Sequence, residues 1–492
     1  MPADAQGHAV PAASVDAGPG RATARPLPAF PGWARALGPG IVWMALAQGS
    51  GELVWWPYLV AKYGLTFLFL LVPACLLQFP LNVEIGRYTL LTGESVFRGF
   101  FRLSKGLGLF LWVLMTLSFL WFGAFASAGG TALAALTGFP AGWSARGQTL
   151  FWGYASIAGF TVALVSSGVV YRLIEAVMKV VAIVTVIGLV WACLSPEVLH
   201  ALPSFLPAIV APPGGAMPRP WDPGDATKLL TGITFAGLGG FWILLYSYWL
   251  LEKGTGMGTY RAHIHGASGG PAEPSEHGEL TPEDSADGHA TWIRWRRYLT
   301  ADALVGIIGN LFTTLMTCLL AWALLFPKGL LPQDYDLAVV QARFFEVSWG
   351  PAGKLLFLLV AALFLTDTWL ATVDGVSRMQ ADILRTVFPG SGATRQQWYW
   401  RCIAALTAIT CVTMTLDAPG PLILLSAVIG FVGTVIFPVA LFLLNYRHLP
   451  PRVPAWARPP LRFAVLLGVS FAAYLALALF YAASLAGWSF GG

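Results

Sequence analysis

Eleven stretches of roughly 20 apolar residues divide this chain, and nothing else in it constrains the fold so tightly. Their limits fall near 36–61, 65–91, 107–136, 147–168, 172–195, 227–251, 299–326, 353–376, 398–416, 420–445 and 461–485. A helix of about 20 residues crosses the hydrocarbon core of a bilayer, where every backbone N–H and C=O needs a partner within the chain. Charged residues make up only 11% of the 492, against about 25% in a soluble domain. The chain therefore reads as an all-α integral membrane protein with about 11 transmembrane helices. One helical bundle accounts for its whole length.

The connections orient this bundle, because Lys and Arg collect in cytoplasmic loops. Twenty-one of them lie in the amino-terminal tail and in the connections that follow even-numbered spans; seven lie in the others, and Lys179 lies within span 5. The amino terminus is expected in the cytoplasm, and the chain in the cell's inner (plasma) membrane as a multi-pass protein. The net charge of +5 follows from this bias and calls for no nucleic-acid partner. Residues 1–34, rich in Ala, Pro and Gly, are expected to be a disordered cytoplasmic tail and not a cleaved signal. Residues 196–226 are expected to form an extracellular loop of short, proline-rich turns. Residues 254–290 are expected to be a solvated, disordered cytoplasmic linker, in which the spacing of His263, His265, His277 and His289 fits no ligand pattern. The five Cys, at 75, 193, 318, 402 and 411, lack metal-ligand spacing, and their odd number argues against a disulfide framework. The 21 Trp and 14 Tyr are expected mainly in interfacial belts.

Two spans are interrupted at their centres. Span 1 contains Gln48-Gly49-Ser50-Gly51-Glu52, which sets two glycines and a carboxylate at membrane depth. A break there survives where it lines a cavity or a ligand site, and an intramembrane carboxylate is a functional candidate by default. Span 6 contains Gly237-Leu238-Gly239-Gly240, again inside an apolar run. Breaks five spans apart are the pattern of a transporter built from two inverted five-helix repeats, with substrate held where the broken helices meet. The repeats would cover 35–195 and 227–446, with the additional transmembrane helix in 447–492.

At these residues the chain resembles a divergent, bacterial-type branch of the Nramp (natural resistance-associated macrophage protein) family of divalent metal-ion transporters. The resemblance covers roughly residues 36–446. It rests on Gly38-Pro39-Gly40 opening span 1, GRYTLLTGES closing span 2, YRLIE opening span 5 and YSYWLLEKGTGMG following the span 6 break. It implies the LeuT-type fold, a 5+5 inverted repeat with helices 1 and 6 broken. The family's span 1 break reads Asp-Pro-Gly-Asn, and those positions align with Gly49, Ser50, Gly51 and Glu52. The aspartate is lost, and a carboxylate stands where the asparagine was. The family's Met-Pro-His of span 6 aligns with Gly240, Phe241 and Trp242, and its carbonyl ligand with Gly237.

The implied metal ligands are thus Glu52, Gly49 and Gly237, within a substrate site of Gly49, Ser50, Gly51, Glu52, Gly237, Gly240 and Asp367. Asp367 enters from span 8 as a deep carboxylate with no evident partner in the sequence. Without sulfur or imidazole, hard oxygen ligands suit Mg2+ or Mn2+ better than softer ions. Nothing between Lys105 and Arg146 is ionisable, so the acidic proton route that the family carries on span 3 is missing. Glu84 with Arg87, Glu175 with Lys179 and Asp374 with Arg378 have helical ion-pair spacing. Asp302 and Asn310 of span 7 are weaker candidates.

The function expected is a secondary transporter or facilitator of a hard divalent cation working by alternating access, with the cation as substrate and no cofactor. The alternative is a LeuT-fold transporter of a small organic solute. An enzyme is not expected, because no HExxH, GxSxG or Walker-type motif occurs and no His lies in a span.

Overall fold

The computed structural model describes residues 22–49, 54–213, 221–266, 278–331 and 343–486. Helices follow the eleven spans. Span 1 is two nine-residue pieces, Pro39–Ala47 and Trp55–Tyr63. Span 2 ends in Phe79–Thr92 and leads through a short helix, Val96–Leu103, into span 3. Spans 4 and 5 are Ala145–Ser166 and Val170–Cys193. Span 6 is again two pieces, Ala226–Phe235 and Leu245–Glu252. Spans 7 to 11 are Ala286–Leu324, Arg343–Val387 (kinked at Gly350), Arg395–Thr413, Pro419–Phe442 and Leu461–Leu485. Among the described residues, eight of the eleven are long and apolar enough in themselves to cross a membrane. Span 1 is cut in half, and span 9 carries polar residues such as Gln396, Gln397 and Arg401.

The two broken spans pack as the inverted repeat requires. The first half of span 1 lies against the second half of span 6, and the second half of span 1 against the first half of span 6. Both interruptions therefore fall at one level inside the bundle. Apolar side chains on the perimeter, including Val162, Ile183, Ile187, Leu461 and Leu479, are exposed. In lipid such residues need no cover, since hydrocarbon is as apolar as they are.

Several expectations are corrected. Residues 22–34 are ordered: Thr23–Arg25 pairs in parallel with Leu280–Pro282, and Phe30 meets Trp295 edge-on at 5.1 Å. The disorder expected over 1–34 is contradicted over 22–34, and residues 1–21 lie outside the described residues. The linker over 254–290 is also structured where described, because Leu280–Pro282 is buried beneath that pairing and span 7 already begins at Ala286. A 13-residue helix, Pro196–Ala208, replaces the short turns expected in 196–226 and packs on span 7. A third of the tryptophans lie outside any belt: Trp43, Trp56, Trp242, Trp249, Trp292, Trp295 and Trp369 are all under 2% exposed. Finally, span 3 is interrupted between Phe119 and Gly123. Beside this step the Ser118 hydroxyl donates to the Ser426 carbonyl and the Ser426 hydroxyl to the Ser118 carbonyl, which ties span 3 to span 10.

Candidate substrate site at the helix breaks

Span 6 unwinds because its glycines take conformations that other residues avoid. Gly237 has φ 111° and Gly240 φ 62°, where a Cβ would cost about 1–3 kcal/mol. The helix end left at the break is not orphaned. Gln78 of span 2 donates its amide N–H groups to the carbonyls of Thr234 (3.2 Å) and Ala236 (3.0 Å). On the far side of the break, the Gly240 N–H donates to the Thr434 hydroxyl of span 10 at 2.9 Å. Gln78 Oε1 has no hydrogen-bond partner among the described residues, and it lies so near Gly237 that a Cβ there would stand 2.7 Å away.

At span 1, the first half ends in Gln48 and Gly49, both buried. Gln48 Nε2 donates to the Thr313 hydroxyl of span 7 at 2.8 Å, while Gln48 Oε1 has no partner among the described residues. Ser50, Gly51 and Glu52 lie outside the described residues. The half-helices that reach the two breaks from upstream, Pro39–Ala47 and Ala226–Phe235, both present their C-terminal ends there. Helix C-termini carry partial negative charge and can coordinate a cation, while the downstream halves, Trp55–Tyr63 and Leu245–Glu252, turn their N-terminal, partly positive ends to the same breaks.

Trp242, which aligns with the family's His, occupies an aromatic box. Phe119 lies 4.6 Å away centroid to centroid, Phe235 5.3 Å and Phe125 5.7 Å, and the indole N–H donates to Thr372 of span 8. The indole is thereby removed from any ligand role. Asp367 is buried, and neither of its oxygens has a hydrogen-bond partner among the described residues. Of the seven candidate residues, then, Gly49, Gly237, Gly240 and Asp367 are placed and buried. The described residues hold no group of three or more His, Cys, Asp or Glu fit for a metal ion.

Ionic contacts brace both faces of the junction. On the amino-terminal face, Asp302 accepts from the N–H of Gly40 (2.8 Å), the N–H of Gly38 (3.4 Å) and the Tyr246 hydroxyl (2.9 Å). It joins span 7 to the facing halves of spans 1 and 6. Glu175 binds Lys253 and Lys179, and Glu252 binds Arg378 and Arg395. On the opposite face, buried Asp225 binds Lys62 and Lys228 and accepts from the Tyr63 hydroxyl, locking the other two halves together. Its exposed neighbour Asp222 is held below the usual carboxylate range by its hydrogen bond from Lys62. The helical ion pairs expected of Glu84–Arg87, Glu175–Lys179 and Asp374–Arg378 are all formed. Sequence reasoning gave no role to Gln48 or Gln78 and undervalued Asp302. Polar residues beside a break were the available signal, but which one turns toward it depends on packing between spans distant in sequence.

The sequence matches no known family profile and no curated protein. Solved structures do match. A mutant of the Eremococcus coleocola manganese transporter has a TM-score of 0.62 at 14% identity, covering 96% of this chain and 92% of that one. The same transporter in complex with an aromatic bis-isothiourea substituted compound gives 0.61 at 14% identity, covering 92% and 86%. Mhp1, a nucleobase-cation-symport-1 family transporter with bromovinylhydantoin bound, gives 0.50 at 14% identity, covering 95% of each chain. The chain is thus a multi-pass membrane protein with the LeuT-type fold, in the arrangement seen in the Nramp-type manganese transporter.

Proposed function

We propose that this protein is a secondary transporter or facilitator of a hard divalent metal cation, Mg2+ or Mn2+, working by alternating access around the two breaks. The observation that carries this reading is the oxygen-only character of the junction. Two half-helix C-termini converge there with the amide oxygens of Gln48 and Gln78, which have no partner among the described residues. Hard oxygen donors match Mg2+ and Mn2+, whereas the sulfur and imidazole that favour softer ions have no counterpart in either break. Glu52 supplies the formal charge within span 1, and Gly49 and Gly237 supply backbone oxygens. The fold shared with a manganese transporter supports the same class of substrate. The amino-terminal face is assigned to the cytoplasm because Lys and Arg are concentrated there.

The test is uptake of Mg2+, Mn2+ and Ca2+, each offered alone, by purified protein in liposomes. Wild type should take up at least one ion, and Glu52→Gln should lower that uptake at least tenfold. Absence of divalent uptake by wild type would overturn the metal assignment and move it to a small organic solute.

A further inference from the structure

We propose that the seam between spans 2, 10 and 11, at the face assigned above to the cytoplasm, binds the phosphate of an anionic phospholipid through Arg447, Arg458 and Arg462, with Arg87 behind them. The connection from span 10 to span 11 carries the charge. After Asp417 the chain contains no Asp or Glu, yet residues 447–462 hold four Arg and one His. Arg452 and His448 are turned to the buried carboxylate of Glu279, at 3.6 and 3.4 Å. Arg447, Arg458 and Arg462 are exposed and have no ion-pair partner among the described residues. The Tyr446 hydroxyl donates to the Pro460 carbonyl at 3.0 Å, which folds the connection back on itself and gathers these three residues where spans 10 and 11 meet.

Span 2 supplies the buried half. The Arg87 side chain is 1% exposed, and its Nε is bound by the Glu84 carboxylate. Its Nη1 and Nη2 have no hydrogen-bond partner among the described residues, and donors of a charged group are costly to bury in that state. Asn445 of the adjoining turn donates to the Glu84 carbonyl at 2.8 Å and leaves its own Oδ1 without a partner there. The Arg87 guanidinium lies over the Phe463 ring at 5.7 Å, and that of Arg462 over the same ring at 5.4 Å. Two cations on one ring repel each other, and a phosphate beside that ring answers both with charge-assisted hydrogen bonds.

The apolar surface continuous with these charges selects a lipid over a free anion. On span 11, exposed Arg462 begins a stripe that runs through Val465, Leu466 and Val469, all exposed and at helical spacing. On span 10, Val439 and Phe442 are exposed just ahead of Arg447. A charged head with acyl chains matches a cationic end and an apolar stripe together, whereas a soluble anion matches only the first. Basic clusters beside the cytoplasmic ends of membrane helices attract anionic lipid for the same reason. This site does not depend on which ion is carried.

The experiment titrates phosphatidylglycerol, phosphatidylcholine and inorganic phosphate separately into the full-length protein in maltoside micelles and reads the thermal midpoint. The wild-type midpoint should rise with phosphatidylglycerol and with neither of the others. Each Arg near an anionic membrane surface strengthens binding about fivefold, so combining Arg447→Gln, Arg458→Gln and Arg462→Gln should raise the half-saturating phosphatidylglycerol concentration roughly tenfold to a hundredfold. Combining Arg294→Gln, Arg296→Gln and Arg297→Gln, at exposed positions near the start of span 7, removes the same charge from the same face and should leave that concentration unchanged.

An unchanged concentration in the first triple variant would overturn the proposal. Equal losses in both triple variants would do so too, by reducing the effect to net charge. A wild-type midpoint raised as much by phosphatidylcholine would leave only apolar contact, and one raised by inorganic phosphate alone would replace the lipid with a soluble anion. Arg87→Lys keeps the charge but loses the paired Nη groups, and it should also weaken phosphatidylglycerol binding; wild-type binding by this variant would remove Arg87 from the site. Where Arg87→Lys does not fold, the exposed triple variant decides the proposal.

Discussion

Replacing Asp302 with Asn alters the one carboxylate that holds the start of span 1 in place. Its two good hydrogen bonds are with the Gly40 N–H at 2.8 Å and the Tyr246 hydroxyl at 2.9 Å; the third, with Gly38 at 3.4 Å, is long. A bond to a charged acceptor contributes about 1.5–3 kcal/mol. Both good bonds end on the same oxygen, Oδ2, so an asparagine that turns its amide oxygen there keeps them as bonds to a neutral acceptor, each weaker by about 1 kcal/mol, and turns its NH2 group toward the Gly38 N–H. The expected destabilisation is about 1.5–3 kcal/mol. Tyr246→Phe removes one of the same two bonds, so the pair should couple by about 1 kcal/mol or more in a double-mutant cycle. The assay is reversible unfolding in mixed micelles of maltoside detergent and SDS, with the wild type, both single variants and the double variant. A cost below about 0.5 kcal/mol for Asp302→Asn, or strictly additive single variants, would refute the reasoning. The pocket leaves little slack for compensation, because a Cβ at position 40 would lie 2.0 Å from the Asp302 carbonyl.

Gly237→Ala should reduce substrate uptake at least tenfold while the protein still inserts. Its φ of 111° and the Gln78 amide both oppose a side chain there, and wild-type uptake by the variant would remove Gly237 from the site. Glu94, outside the spans, gives a pH prediction. Burial pushes its carboxyl up, but the Arg102 guanidinium bonded to both oxygens outweighs this and holds it below the usual range. The folded value is depressed, so the stabilisation is complete above the ordinary value of 4.5 and is lost as pH falls through the folded one. The thermal midpoint of Glu94→Gln should therefore fall less between pH 7 and pH 3.5 than that of wild type; parallel curves would refute the assignment.

Hydrophobic runs settled the number of spans, because the bilayer demands about 20 apolar residues from each crossing whatever its neighbours. The glycines of spans 1 and 6 announced the breaks for a similar reason, since unpaired backbone at membrane depth is too costly to occur without a use. Helical ion pairs such as Glu84–Arg87 were legible because i, i+3 and i, i+4 spacing alone brings the partners together. The rest depended on contacts between residues far apart in the chain. Gln78 meets the span 6 carbonyls across 156 and 158 positions, and Gly40 meets Asp302 across 262. The pairing of Thr23–Arg25 with Leu280–Pro282 joins two segments whose compositions each resemble disorder. Local pattern carries no information on which polar group a distant helix will present. The tertiary packing decided that Gln48 and Gln78 bring oxygens to the breaks, that Trp242 is sealed among phenylalanines, and that Asp367 is buried with no hydrogen-bond partner for either oxygen among the described residues.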